Sequence, residues 1–126
     1  MADLDGRVAV VTGGAKGIGA GISECLAEQG ATVVVADIDG AAAEEHAAAL
    51  PGRSLAVATD VSKADSVAAL AKAVADELGT VDILVNNAGV GPIPTPVQDM
   101  GEDEWDRVMD INARGVFLCS RAFVPS

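Results

Sequence analysis

Four short apolar runs alternate with four segments of helical periodicity, and this alternation constrains the fold more than any other feature of the chain. Arg7–Thr12, with Val8, Val10 and Val11, reads as a buried strand that runs into glycines. Gly17–Gln29 follows with Ile18, Ile22, Cys25 and Leu26 at helical spacing, and Gly30 closes it. Ala31–Asp37 holds Val33, Val34 and Val35, a continuous apolar run of the kind that strands buried on both faces show. Ala41–Leu50 is an alanine-rich helix stopped by Pro51 and Gly52. Leu55, Val57 and Thr59 alternate as a third strand. Ser62 and Asp65 resemble a capping box that opens a helix with Val67, Leu70, Ala71, Val74 and Leu78 on one face and Gly79 at its end. Val81–Asn86 is the fourth strand, and Val90–Met100 is a proline-bearing loop. In the last helix Glu102, Asp103 and Glu104 suit the positive dipole end, with Trp105, Val108, Met109 and Val116 expected on its inner side. Strict alternation implies right-handed βαβ crossovers and a doubly wound parallel sheet.

The first strand-to-helix turn is Thr12-Gly13-Gly14-Ala15-Lys16-Gly17-Ile18-Gly19. Gly13 allows a tight turn, Gly17 lets a pyrophosphate approach the backbone, and Gly19 lets the helix pack close to the strand. The helix N-terminus then presents N–H groups and a positive dipole end to phosphates. The spacing is G-x3-G-x-G, which departs from the G-x-G-x-x-G fingerprint. Asp37 ends strand two, 18 residues beyond Gly19, where an acid accepts hydrogen bonds from an adenosine ribose and repels a 2′-phosphate. Its ordinary alternative is a solvated strand-end carboxylate. Asp39 is the nearby competitor and is expected on the surface. Lys16 pulls the other way, because a basic residue in this loop helps to hold an extra phosphate. Asp37 faces the 2′ position directly, so the cofactor expectation is NAD ahead of NADP.

Charge narrows the partners. The 126 residues carry 19 acidic and 8 basic side chains, a net charge of -11, which argues against nucleic acid and against an anionic membrane surface. A dinucleotide is still compatible, since the local field at a helix N-terminus outweighs the sum. One domain is expected from the length. The N-terminal stretch has no apolar core that would make a signal peptide, and Val8–Val11 and Val33–Ala36 are too short to span a bilayer. Cys25 and Cys119 make no C-x-x-C pattern, and with the single histidine, His46, they cannot form a standard zinc site, so no metal is expected. They read as two reduced, half-buried thiols of a cytoplasmic protein.

Thr12-Gly13-x3-Gly17-x-Gly19, Asp60-Val61, Asn86-Asn87-Ala88-Gly89 and Asn112 occur in an order that resembles the N-terminal half of a short-chain dehydrogenase/reductase. The resemblance covers Leu4 to Ser126. It implies a Rossmann-type fold, here an incomplete one of about four strands and four helices in sheet order 3-2-1-4. It also implies cofactor contacts from Gly13, Lys16, Gly17, Ile18, Gly19 and Asp37. By resemblance, Asp60 hydrogen-bonds the adenine amino group and the Val61 backbone lies against the ring. Asn87, Ala88 and Gly89 line the adenosine ribose side, although Asn87 also reads as a structural amide. Asn86 reads as an amide that ties strands together. Asn112 matches the asparagine of the family's catalytic tetrad, in a locally disturbed helix, where it helps to hold a water in a proton relay.

The same resemblance calls for a serine and a Tyr-x-x-x-Lys that transfer the proton while the cofactor carries hydride. The chain has no Tyr, and Ser120 and Ser126 precede the position of the family's catalytic strand. His46, on the second helix, offers no substitute. The expectation is therefore a partial NAD(P)-binding domain over residues 1–126, with the catalytic half absent. It belongs to an oxidoreductase of an alcohol or carbonyl substrate and is inactive alone. The alternative is a stand-alone dinucleotide-binding or interaction module, completed by pairing with another chain across the open apolar edge of strand four. A homo-oligomer is expected, because the family's last helix of this half helps to form a subunit interface. Substrate and redox direction are not legible.

Overall fold

The computed structural model describes residues 3–91 and 93–125, so the readings that touch Met1, Ala2, Pro92 and Ser126 lie outside the described residues at those positions. The elements follow the expected alternation: β1 (Val8–Thr12), α1 (Gly17–Glu28), β2 (Thr32–Asp37), α2 (Gly40–Ala49), β3 (Ser54–Ala58), α3 (Ala64–Glu77) and β4 (Ile83–Val85). After a 3₁₀ turn at Val97–Asp99 come α4 (Glu102–Met109), a π-helical turn at Asp110–Arg114 and α5 (Gly115–Phe123). The strands are all parallel, in the order β3-β2-β1-β4. Val8 pairs with Thr32 and Thr12 with Ala36 across β1 and β2, while Ala9 pairs with Ile83 across β1 and β4.

The continuous valine runs explain why β1 and β2 occupy the middle. Alternate residues of a strand point to opposite faces, so such a run suits only a strand covered on both sides. Val8, Val10, Val34 and Ala36 pack with Val67, Leu70 and Val74 of α3 and with Leu118, Cys119 and Phe123 of α5. Ala9, Val11, Val33 and Val35 pack with Ala27 of α1 and with Ala43 and Ala47 of α2. The chain thus changes face between β1 and β4, which opens a crevice at the carboxyl ends of these strands.

Four local expectations are corrected. In α1 the buried residues are Gly19, Ser23 and Ala27, whereas Ile18 is 79% exposed and Cys25 is exposed. The close approach of this helix to the sheet admits small side chains along its innermost line, while Ile22 and Leu26 pack half-buried at its flanks, as expected, and Ile18 and Cys25 turn outward. The Ser62–Asp65 capping box does not form: α3 starts at Ala64, the Ser62 hydroxyl donates to Asp60 Oδ1, and Ser66 Oγ accepts from the Asp60 N–H. The last helix is two helices joined by the π turn, and its buried face is Gly115, Leu118, Cys119 and Phe123. Trp105, Met109 and Val116 point outward instead, and Val108 is half-buried. The extra residue that a π turn inserts rotates everything after it relative to a plain α-helix. Nor are the cysteines alike, since Cys119 is fully buried and burial pushes its thiol pKa up.

Candidate functional site

A cleft of about 270 Å³ lies at the carboxyl ends of the strands, walled by Gly13, Lys16, Asp37, Ile38, Thr59, Asp60, Val61, Ala88, Gly89, Val90 and Ile111. The glycine loop forms its floor. Gly13 has φ +61° and Gly17 φ +54°, in the left-handed region that side chains disfavour. A Cβ on Gly13 would sit 3.0 Å from Ala88 Cα, and one on Gly19 would collide with the Gly13 carbonyl oxygen. Gly17 has open space where a Cβ would point, as a backbone meant for close approach by a ligand requires. No side chain caps α1, and its first bond runs from Ala20 N–H to Lys16 O, so the N–H groups ahead of it remain for an anion. These features fit a pyrophosphate.

Asp37 is not the solvated carboxylate of the ordinary alternative. It is 8% exposed and accepts from the Ala15 N–H through Oδ2 (3.1 Å) and from the Asp39 N–H through Oδ1 (3.0 Å). The acid at the end of β2 therefore fixes the glycine loop as well as facing the cleft. Asp39 is also more than a surface residue. Its Oδ1 caps α2 at the Ala42 N–H (3.0 Å), and its Oδ2 accepts from Lys16 Nζ at 2.7 Å. The hydrogen bond to Asp39 raises the Lys16 pKa, and the same bond lowers that of Asp39.

On the opposite wall, Asp60 Oδ1 accepts from the Ser62 N–H and hydroxyl, which holds the carboxylate at the rim of the cleft. Val61 is 7% exposed and belongs to the core, with its place against the cleft set by Gly115, whose added Cβ would lie 2.7 Å from Val61 Cγ2. Ala88 and Gly89 are placed in the cleft wall. Asn87 is not: its Nδ2 donates to the Gly13 carbonyl at 3.0 Å, so the amide that ties the sheet ends together is Asn87. Asn86 is exposed, and among the described residues its side chain donates only to Ser120 Oγ, at 3.4 Å. Ile18 and Gly19 likewise stay out of the cleft wall, Ile18 turned to solvent and Gly19 packed beneath the loop.

Asn112 lies in the π turn. Its Oδ1 accepts from the Val90 N–H (2.8 Å) and its Nδ2 donates to the Val90 carbonyl (2.7 Å), a reciprocal pair that fixes the segment after β4. Two residues escaped the sequence reading. Thr12 is 2% exposed, and its Oγ1 accepts from the N–H groups of Asn87 (3.1 Å) and Ala88 (3.0 Å) while donating to the Val85 carbonyl (3.3 Å). Ser23, fully buried, donates to the Gly14 and Gly19 carbonyls. A polar residue in a valine run and a serine four residues after Gly19 are the signals that could have marked them. Among the described residues no group of three or more His, Cys, Asp or Glu gathers as a metal site, and no helix is long and apolar enough to cross a membrane.

A parallel sheet with a glycine turn, a strand-end acid and a crevice at its switch point defines a dinucleotide-binding class of fold. The short chain dehydrogenase family model matches residues 7–126, and the chain belongs to that family. It is 48% identical over 123 residues to galactitol 2-dehydrogenase of Rhizobium johnstonii, covering 95% of this chain and 48% of that protein. It is 45% identical over 122 residues to D-threitol dehydrogenase of Mycolicibacterium smegmatis, covering 94% and 46%. The crystal structure of a 3-ketoacyl-(acyl-carrier-protein) reductase from Brucella melitensis complexed with NADH superposes with a TM-score of 0.94 at 42% identity, covering 98% of this chain and 50% of that one. The chain spans about half the length of the curated relatives it matches.

Proposed function

We propose that these residues form the cofactor-binding half of an NAD-dependent oxidoreductase that moves hydride between the nicotinamide and an alcohol or carbonyl substrate. The observation that carries this reading is the cleft itself, where the glycine loop, Asp37, Asp60 and the Ala88–Gly89 backbone converge. Bound NAD would supply the hydride-accepting nicotinamide. The chain's own groups bind and orient it. The α1 N-terminus and Gly17 take the pyrophosphate, Asp37 takes the adenosine ribose hydroxyls through its free lone pairs, and Asp60 takes the adenine amino group. The Val61 backbone flanks the ring.

Asn112 keeps its proposed place in the proton relay, supported by its position in a π turn, a backbone form frequent at functional sites. In this reading the proton-transferring Tyr and Lys come from residues beyond these 126, and the substrate is set there too. The outward Trp105, Met109, Val116 and Phe117 support a homo-oligomer. The two free thiols support a cytoplasmic setting. The second reading, a module completed by another chain, draws on β4, which among the described residues pairs only with β1.

Calorimetric titration with NADH and NADPH tests the reading. NADH is expected to bind more tightly, and Asp37→Ala is expected to weaken NADH more than NADPH. Equal losses for the two cofactors would remove Asp37 from the role, and no binding of either would remove the function.

A further inference from the structure

Lys16 is the one feature of the cleft that opposes an NAD preference, and the structure gives it a partner. Lys16 Nζ lies 2.7 Å from Asp39 Oδ2, and among the described residues no side chain other than Asp39 is bonded to Nζ. Asp39 cannot follow Lys16 elsewhere. Its Oδ1 accepts from the Ala42 N–H as the cap of α2, and its own N–H donates to Asp37 Oδ1. The anion is thus fixed at both ends, while the lysine is the more exposed member, its side chain 65% exposed. Such a pair adds little to stability. Its consequence is local charge: the cation at the cleft rim is neutralised by a carboxylate that cannot move away.

We propose that Asp39 is a specificity-determining residue that withholds Lys16 from the 2′-phosphate of NADP, acting beside Asp37. The proposal rests on the dinucleotide reading of the cleft. A ligand with a 2′-phosphate is penalised twice at this rim. Recruiting Lys16 would strand the fixed Asp39 carboxylate, and leaving Lys16 in place would set the phosphate near two anions with no free cation. A ligand with a plain 2′-hydroxyl needs nothing from Lys16 and meets neither cost. Asp39 is ionised at neutral pH, as an ordinary aspartate is, and the Lys16 hydrogen bond lowers its pKa further.

The test compares 5′-AMP with adenosine 2′,5′-bisphosphate by calorimetry on this chain. The variants are Asp39→Asn, Lys16→Gln and the two combined. Asparagine retains the oxygen that caps α2, so the fold is kept and 5′-AMP affinity reports on it. Asp39→Asn is expected to raise bisphosphate affinity about tenfold, the scale of one unit charge acting over roughly 6 Å at a dielectric between the protein-surface and water values. Affinity for 5′-AMP should move less than about twofold, and the combined variant should lose the gain. No gain in Asp39→Asn, or a gain that survives Lys16→Gln, overturns the proposal while 5′-AMP binding leaves the dinucleotide reading intact. Failure of the parent chain to bind either probe overturns both.

Discussion

Thr12→Val tests the clamp that joins β1 to the cleft wall. Valine has nearly the shape of threonine, so the exchange removes the hydroxyl and little else. In the parent chain that hydroxyl accepts from the Asn87 and Ala88 N–H groups and donates to the Val85 carbonyl. Asn87 N–H also donates to the Val85 carbonyl at 3.0 Å, so it keeps a partner in the variant. Ala88 N–H does not. One orphaned donor and one lost shared bond cost about 2–3 kcal/mol, and the added methyl returns at most about 0.8 kcal/mol. The net loss of about 1.2–2.2 kcal/mol corresponds to a urea midpoint lower by roughly 1 M at unchanged slope. Thr12→Ser is the control, because it keeps the oxygen and loses only a methyl. Equilibrium urea unfolding gives the stability, and amide hydrogen exchange at Ala88 identifies the cause. Exchange there should accelerate in the valine variant and stay near parental in the serine variant. Equal acceleration in both, or a valine variant as stable as the parent, would refute the clamp.

Gly19→Ala sets two effects against each other. Alanine gains about 1 kcal/mol of helix propensity, but its Cβ would strike the Gly13 carbonyl, backbone that cannot yield cheaply. Net destabilisation and weaker NADH binding are expected in thermal melts and titrations, and a stabilised variant would contradict the packing. Asn112→Ala should free the Val90 backbone, read as faster exchange of the Val90 amide, with Asn112→Asp restoring only the accepting half of the pair. Glu104 accepts from Arg107 Nε (2.6 Å) and the Ile93 N–H (2.9 Å), and Arg107 first, then Ile93, lowers its pKa. A depressed carboxylate stabilises above its ordinary value and loses that contribution as pH falls through the folded value. The Ile93 amide resonance should therefore shift in acid below the usual glutamate range, and the shift should vanish in Glu104→Gln. A thiol reagent should modify exposed Cys25 in the native protein and reach buried Cys119 only on unfolding, as mass spectrometry of limited labelling would show.

The sequence by itself determined the sheet. A valine run of hydrophobic residues without polar alternation has one low-energy place, a strand covered on both faces, and the alternation with helices then implies parallel pairing, while the order β3-β2-β1-β4 followed from the family resemblance and not from the alternation. It also determined the glycine loop, since Gly13, Gly17 and Gly19 each answer a constraint local to one turn. What the tertiary structure decided are the roles that depend on partners distant in the chain. Thr12 clamps residues 75 and 76 positions away, and Asn87 rather than Asn86 reaches Gly13, 74 positions back. The innermost line of α1 belongs to Gly19, Ser23 and Ala27, with Ile22 and Leu26 packed half-buried beside it, and the π turn re-aims α5 by one inserted residue. Asp39 is the sharpest case. Its spacing from Lys16 says nothing, yet the fold brings them to 2.7 Å, because β1 and β2 lie side by side and each feeds its following loop to the same end of the sheet. Periodicity encodes that an element has a buried face, and only the packed chain sets which residues fill it and which charges meet beside it.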